Sequence, residues 1–377
     1  MHKLLMLFGL LLISCSSFLL IGADKALPDE PKGYILMEAE TKTVLEEHNS
    51  DLKLNAGYLT KLMSLLVIAE KINNGELLMT DMLAASESVK NTKGAVIWLE
   101  SGDKLSVEEL LKSVIIGNAN DALTVLAEAV SGDTGTFVMD MNAKAFDLGL
   151  RNTFYFSPYG YFEENEYTTA HDIAVICSEL AKYDFLTPAF STWRDFVKEG
   201  SVELVSENKL TRSYGLHIGF KACHSDESGY CTAECGRNDS GNTFIAVAVG
   251  AENEDISYKT VKSLLKNGFR QYKVTSTMFP EEMLKPLSVI GGTEKAVETG
   301  LAMQGKVTVS KDKRDLKTKV VYPEFINAPV HIGQPIGCAA FYSGDTLVFE
   351  TDIIVKKDIP SLSFGYVFKS MLLKLIE

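Results

Sequence analysis

The sequence predicts an α+β protein, a sandwich of helices against an antiparallel sheet followed by a small all-β domain. Three observations predict it. Strand-like runs stand far apart in the chain, at 34–39 and 44–47 and again at 215–220, 229–235 and 243–251, so one sheet has to be assembled from both ends. Capped segments of helical period fill part of the interval between them. From 286 to 355 the pattern turns to short alternating strands punctuated by Gly and Pro, with no long amphipathic helix, which marks a separate β domain. With 377 residues, 46% of them hydrophobic, the chain can bury one large core and a smaller second one.

Each element has a local reason. His2-Lys3 followed by the apolar run 4–13 reads as a signal peptide, with Ile21-Gly22-Ala23 offering small residues for cleavage after 23. Leu12-Ile13-Ser14-Cys15 instead resembles a lipobox, in which Cys15 would carry a lipid. Either route exports the chain. Ser106 with Glu109 forms a capping box ahead of Leu110-Leu111, so a helix delivers the chain into the loop Asn118-Ala119-Asn120. A second helix over 121–130 stops at Gly132, and a third over 136–148 stops at Gly149. The spacing gives domains over 31–273 and 280–358. Residues 360–377, with Phe364, Phe368, Met371 and Leu375, read as a short amphipathic helix that either packs on the β domain or lies in a membrane surface.

Composition excludes some function classes. A net charge of −13 with no basic stripe argues against nucleic acid. Of six cysteines, Cys177 sits on an apolar helical face and Cys338 in a β strand, while Cys223, Cys231 and Cys235 are close in sequence, with His217 and His224 nearby. Their spacing lacks the paired C-x-x-C form, so no metal is assigned. A free core Cys231 and a Cys223-containing disulfide both remain open. No motif calls for a cofactor.

The chemistry is concentrated around Lys61. Residues three apart on a helix share a face, so a serine one turn before a lysine can pass its proton to a desolvated, neutral amine. The segment Ala56-Gly57-Tyr58-Leu59-Thr60-Lys61 resembles the Ser-x-x-Lys motif of penicillin-binding proteins and serine β-lactamases, with Tyr58 at the nucleophile position. Ser64 follows Lys61 by one turn and does not replace it. Ile116-Gly117-Asn118-Ala119-Asn120-Asp121 resembles the Ser-x-Asn loop, with Asn118 for serine and Asn120 retained. Leu216-His217-Ile218-Gly219-Phe220 resembles the Lys-Thr-Gly strand, with His217 for lysine, Ile218 for threonine and Gly219 retained. Leu148-Gly149, Asn152-Thr153, Ser157-Pro158-Tyr159-Gly160 and Ser228-Gly229-Tyr230-Cys231 extend the likeness, so the chain resembles the serine-type D-alanyl-D-alanine carboxypeptidases of the peptidase S11 family. Ala328-Pro329-Val330-His331-Ile332-Gly333-Gln334 resembles that family's C-terminal domain.

The resemblance implies a β-lactamase/transpeptidase-like α/β sandwich with a small C-terminal all-β domain. It implies a place in cell-wall peptidoglycan metabolism, on the outer face of the cytoplasmic membrane. With Tyr58 for serine, the expected member binds D-alanyl stem peptides without cleaving them. One alternative is an active carboxypeptidase with an unusual site; another is an interaction protein that docks on a cell-wall synthase. Lys61 and Asn120 are then either remnants of the proton relay or structural, Lys61 by packing its stem and Asn120 by capping the next helix. His217, with Ile218 and Gly219, either meets the substrate carboxylate, more strongly as pH falls, or is a structural strand residue.

Overall fold

The computed structural model describes residues 30–160, 165–277, 279, 284–312 and 316–376. The signal-peptide and lipobox readings, with Cys15, lie outside the described residues.

Five strands make the main sheet: β1 (Gly33–Glu38), β2 (Val44–His48), β3 (His217–Ser225), β4 (Gly229–Arg237) and β5 (Thr243–Ala251), in the order β2-β1-β5-β4-β3 and antiparallel throughout. The middle strand β5, TFIAVAVGA, is buried at every residue, as an unbroken apolar run must be when both faces are covered. Alternation divides its side chains. Ile245, Val247 and Val249 join the large core, while Phe244, Ala246 and Ala248 join a smaller one on the opposite face.

The helix α1 (Lys61–Asn73) lies in the large core with α2 (Val107–Ile115), α3 (Asn120–Ser131), α4 (Thr134–Asp147) and α5 (Ala170–Leu180). Their ends follow the expected signals. The Ser106/Glu109 capping box is present, Gly132 ends α3 at φ 88°, and Gly149 follows α4 at φ 75°. On the other face, α6 (Glu254–Gln271) lays Tyr258, Val261, Leu264 and Leu265 over the sheet, its Asn253 cap accepting from the Ile256 N–H. A side chain at Gly268 would come within 3.2 Å of the Phe244 ring, so the helix approaches closely only because no Cβ is there.

The strand expected over 215–220 begins at His217 and runs on to Ser225. Pairing explains the difference. Ser225 opposite Gly229 closes a tight hairpin over 226–228, and the ladder to β4 keeps His224 and Ser225 extended although their polarity reads as loop.

The C-terminal part is β throughout until its last helix. Strands β6 (Tyr272–Ser276), β7 (Leu287–Ile290), β8 (Ala296–Val297), β9 (Thr299–Leu301), β10 (Lys306–Ser310), β11 (Leu316–Val321), β12 (Phe325–Asn327), β13 (Pro335–Ser343) and β14 (Thr346–Val355) form sheets β6-β10, β8-β7-β12 and β9-β14-β13-β11. They enclose two small cores around Leu287 with Val330 and around Phe341 with Ile353. The chain ends in α7 (Phe364–Ile376), on which Phe364 is 86% and Met371 61% exposed. Among the described residues no helix is long and apolar enough to cross a membrane.

Candidate functional site

Tyr58 and Lys61 meet as the spacing predicts, by a different turn. Gly57–Thr60 is a 3₁₀ turn, in which residues three apart eclipse, and Lys61 is the first residue of α1. The Lys61 side chain is fully buried, and its Nζ lies 3.9 Å from the centre of the Tyr58 ring with no hydrogen-bond partner among the described residues. Burial, and then the nearby Lys221 charge, hold this amine well below the usual lysine range.

Asn118 sits at φ 56° in the loop between α2 and α3, a left-handed conformation that asparagine tolerates. It is buried, and its Oδ1 has no hydrogen-bond partner among the described residues. Asn120 is the first residue of α3 and does not cap it; Ala119 occupies the cap position without a side-chain bond. Instead the Asn120 Nδ2 donates to the Lys93 carbonyl at 2.6 Å, and its Oδ1 is unpartnered. Three of the buried polar atoms without partners therefore belong to Lys61, Asn118 and Asn120, side chains placed by the first two sequence motifs.

The third motif requires a correction. His217, Ile218 and Gly219 do not come to Lys61. The His217 ring is bonded through Nδ1 to the Glu234 carboxylate and through Nε2, at 3.0 Å, to the Phe190 carbonyl, and its side chain is only 3% exposed. Glu234 is fully buried and accepts a second bond from the Asn208 amide at 3.0 Å. Burial alone would lower the His217 pKa, but the carboxylate more than offsets it and raises the imidazole; burial raises Glu234 as well. Such a histidine is a paired strand residue.

The strand residues facing the start of α1 are Lys221 and Cys223, four and six positions further along β3 and thus about 13 Å and more from His217. Lys221, 3% exposed, donates from Nζ to the carbonyls of Val114 at 3.0 Å and Ile115 at 2.8 Å, closing the C-terminal end of α2. Burial lowers its pKa to about 8. The Cys223 thiol donates to the Ala56 carbonyl at 3.3 Å, immediately before the turn that carries Tyr58. Lys221-Ala222-Cys223 thus stands where the Lys-Thr-Gly strand was sought. The lysine was the available signal, and the Gly219 match drew the reading too early.

Neither hydroxyl nearest Lys61 in the sequence replaces the one absent at position 58. Ser64 is buried and donates to the Pro158 carbonyl at 2.7 Å, and Thr60 is bonded to Glu166. Beyond β3 a cavity of about 360 Å³ is lined by Trp193, Glu207, Ala222, Cys223, His224 and Tyr230, among others. Among the described residues no three His, Cys, Asp or Glu side chains converge as a metal-ligand set.

Known proteins share this arrangement of domains. Residues 25–253 match the D-alanyl-D-alanine carboxypeptidase family, and residues 272–361 match the penicillin-binding protein 5 C-terminal domain. The chain is similar to D-alanyl-D-alanine carboxypeptidase DacF of Bacillus subtilis, 30% identical over 343 residues that cover 90% of this chain and 88% of that protein. It is 27% identical over 379 residues to DacC of Escherichia coli, covering 95% and 94% of the two chains. Its fold matches penicillin-binding protein 5 from Haemophilus influenzae with a TM-score of 0.80 at 24% identity, over 88% of this chain and 98% of that one.

Proposed function

The chain belongs to the D-alanyl-D-alanine carboxypeptidase family of peptidoglycan metabolism, and from that premise we propose that it is a member that binds D-alanyl peptides without forming an acyl-enzyme. The observation that carries this reading is the Tyr58 ring lying against the Lys61 amine at 3.9 Å. The space an aliphatic nucleophile would share with its base is taken by a phenol whose oxygen lies on the far side of a rigid ring. The alternative of an active enzyme with an unusual nucleophile has no favoured candidate. Ser64 and Thr60 are engaged elsewhere, and the Cys223 thiol, bonded to its neighbours and buried, is pushed well above the usual thiol range.

The same reading places the chain outside the cytoplasm, with the exposed apolar residues of α7 lying in the membrane surface. Titration calorimetry of the purified chain with a stem peptide ending in D-alanyl-D-alanine, together with an assay for released D-alanine, tests it. Binding without release supports the proposal. Release at an enzymatic rate overturns it, and no binding at all favours a chain that acts only by docking on a cell-wall synthase.

A further inference from the structure

Cys223 and Cys231 are direct partners in the β3–β4 ladder. Residues opposite each other in an antiparallel pair have Cα atoms about 4.5–5.5 Å apart, within the roughly 4.4–6.8 Å that a disulfide bridges. Both are free thiols, each donating to a backbone carbonyl, Cys223 to Ala56 at 3.3 Å and Cys231 to Ser228 at 3.4 Å. Cys231 also accepts from the Gly250 N–H at 3.4 Å, and both sulfurs lie in the large core. Both are buried, Cys223 at 6% and Cys231 at 1% exposure. We propose that Cys223 and Cys231 form a disulfide across the β3–β4 hairpin when the chain meets a small-molecule disulfide.

The exchange balances in two steps. One of the two cysteine sulfurs bonds to one sulfur of the small disulfide, whose other half leaves as a thiol with that cysteine's proton. The second cysteine sulfur then bonds to the first and displaces the remaining half, which leaves with the second cysteine's proton. The two cysteines lose two electrons, and one disulfide becomes two thiols. Cys223 beside it, and then the Gly250 N–H it accepts, hold the Cys231 thiol below the usual range, which suits it to exchange with a disulfide.

The bond has a consequence beside the cleft. The Cys223 sulfur that turns toward Cys231 is the one whose thiol hydrogen is bonded to the Ala56 carbonyl, and a side chain at Gly57 would lie 3.5 Å from it. Oxidation removes that bond and loosens the turn on which Tyr58 sits. Whether the bond is filled in the cell rests on the extracytoplasmic reading; the pairing does not, and it is tested on purified protein.

The full chain is reduced, equilibrated with glutathione disulfide, alkylated under denaturing conditions and cut after glutamate. Cleavage at Glu227 and Glu234 places Cys223, Cys231 and Cys235 on separate peptides. The expected product is a link between the first two, with an intact mass lower by two hydrogens. It should persist in Cys235→Ser and disappear in Cys223→Ser. A link through Cys177 or Cys235, a stable glutathione adduct on Cys223, or full alkylation of both cysteines overturns the proposal. Amide hydrogen exchange over 56–60 should be faster in the oxidised chain; unchanged exchange in a linked chain overturns the coupling to the Tyr58 turn.

Discussion

Nζ of Lys61 lies 3.9 Å from the ring centre of Tyr58, three residues earlier, and among the described residues this amine has no hydrogen-bond partner. Burial, and then the Lys221 charge, hold this amine well below its ordinary range. The amine faces an aromatic surface.

That relationship predicts no covalent adduct with a β-lactam. In one serine protease, loss of the nucleophile costs on the order of a millionfold in rate. Intact-mass measurement after incubation with excess penicillin should show no added mass. An adduct mapped to Tyr58 or Ser64 contradicts it.

Restoring one atom should not restore the site. Tyr58→Ser alone is expected to leave D-alanine release at background, because Asn118 and Cys223 still depart from the serine and glycine of the relatives' motifs. Adding Asn118→Ser and Cys223→Gly should raise the rate over the single variant on the order of a hundredfold, the lower range of a general acid–base contribution. Adding His217→Lys in their place should give nothing, since the histidine is committed to Glu234.

Lys221 should leave a mark on stability against pH. Its folded pKa, lowered to about 8, lies below the unfolded value of about 10.4. Below pH 8 both states are protonated, and the fold carries a buried ammonium. Between 8 and about 10 the unfolded chain binds more protons, so unfolding free energy rises with pH, by up to about 3 kcal/mol from this group. Urea unfolding at pH 7.5 and 10 should show that rise in the parent and a smaller one in Lys221→Met; parallel curves contradict it. The variant should also be less stable at both pH values, because the Val114 and Ile115 carbonyls lose their donor.

The His217–Glu234 pair works in the opposite sense. A histidine raised above its unfolded value near 6.5 stabilises fully below that pH and loses the contribution as pH rises through the folded pKa. Glu234, also raised, holds its proton longer in the fold, so its contribution falls as pH rises past about 4.3. His217→Ala leaves a buried carboxylate with the Asn208 amide as its remaining side-chain partner among the described residues and should cost about 3–5 kcal/mol by chemical denaturation. It should leave stem-peptide affinity unchanged from pH 7 to 5.5. A pH-dependent affinity that vanishes in this variant returns the histidine to the cleft.

The full chain should co-sediment with lipid vesicles, and removal of residues 362–377 should release it. Among the described residues of that segment, Leu362, Phe364, Tyr366, Val367, Phe368 and Met371 are exposed. Equal sedimentation of the two forms assigns α7 another role.

What was legible in the sequence was local. The cap at Ser106, the stop at Gly132 and the limits of β5 follow from residues within a few positions of each other. Tyr58 and Lys61, three apart, were brought together as their spacing required. Lys221 was missed because its meaning depends on carbonyls 107 and 106 residues away. His217 was misplaced because a matching glycine two residues on outweighed a buried acid across the ladder, on a strand whose register the sequence does not announce. The pairing of Cys223 with Cys231 follows once Ser225 and Gly229 are known to close the hairpin.

The two bonds from Lys221 to the end of α2 act as a latch. β3 is the edge of its sheet, and edges ordinarily breathe strand by strand. Here, parting the edge from the helical layer strands one amine and two carbonyls at the same moment. The seam therefore has a threshold: small fluctuations leave it shut, and it parts as one event.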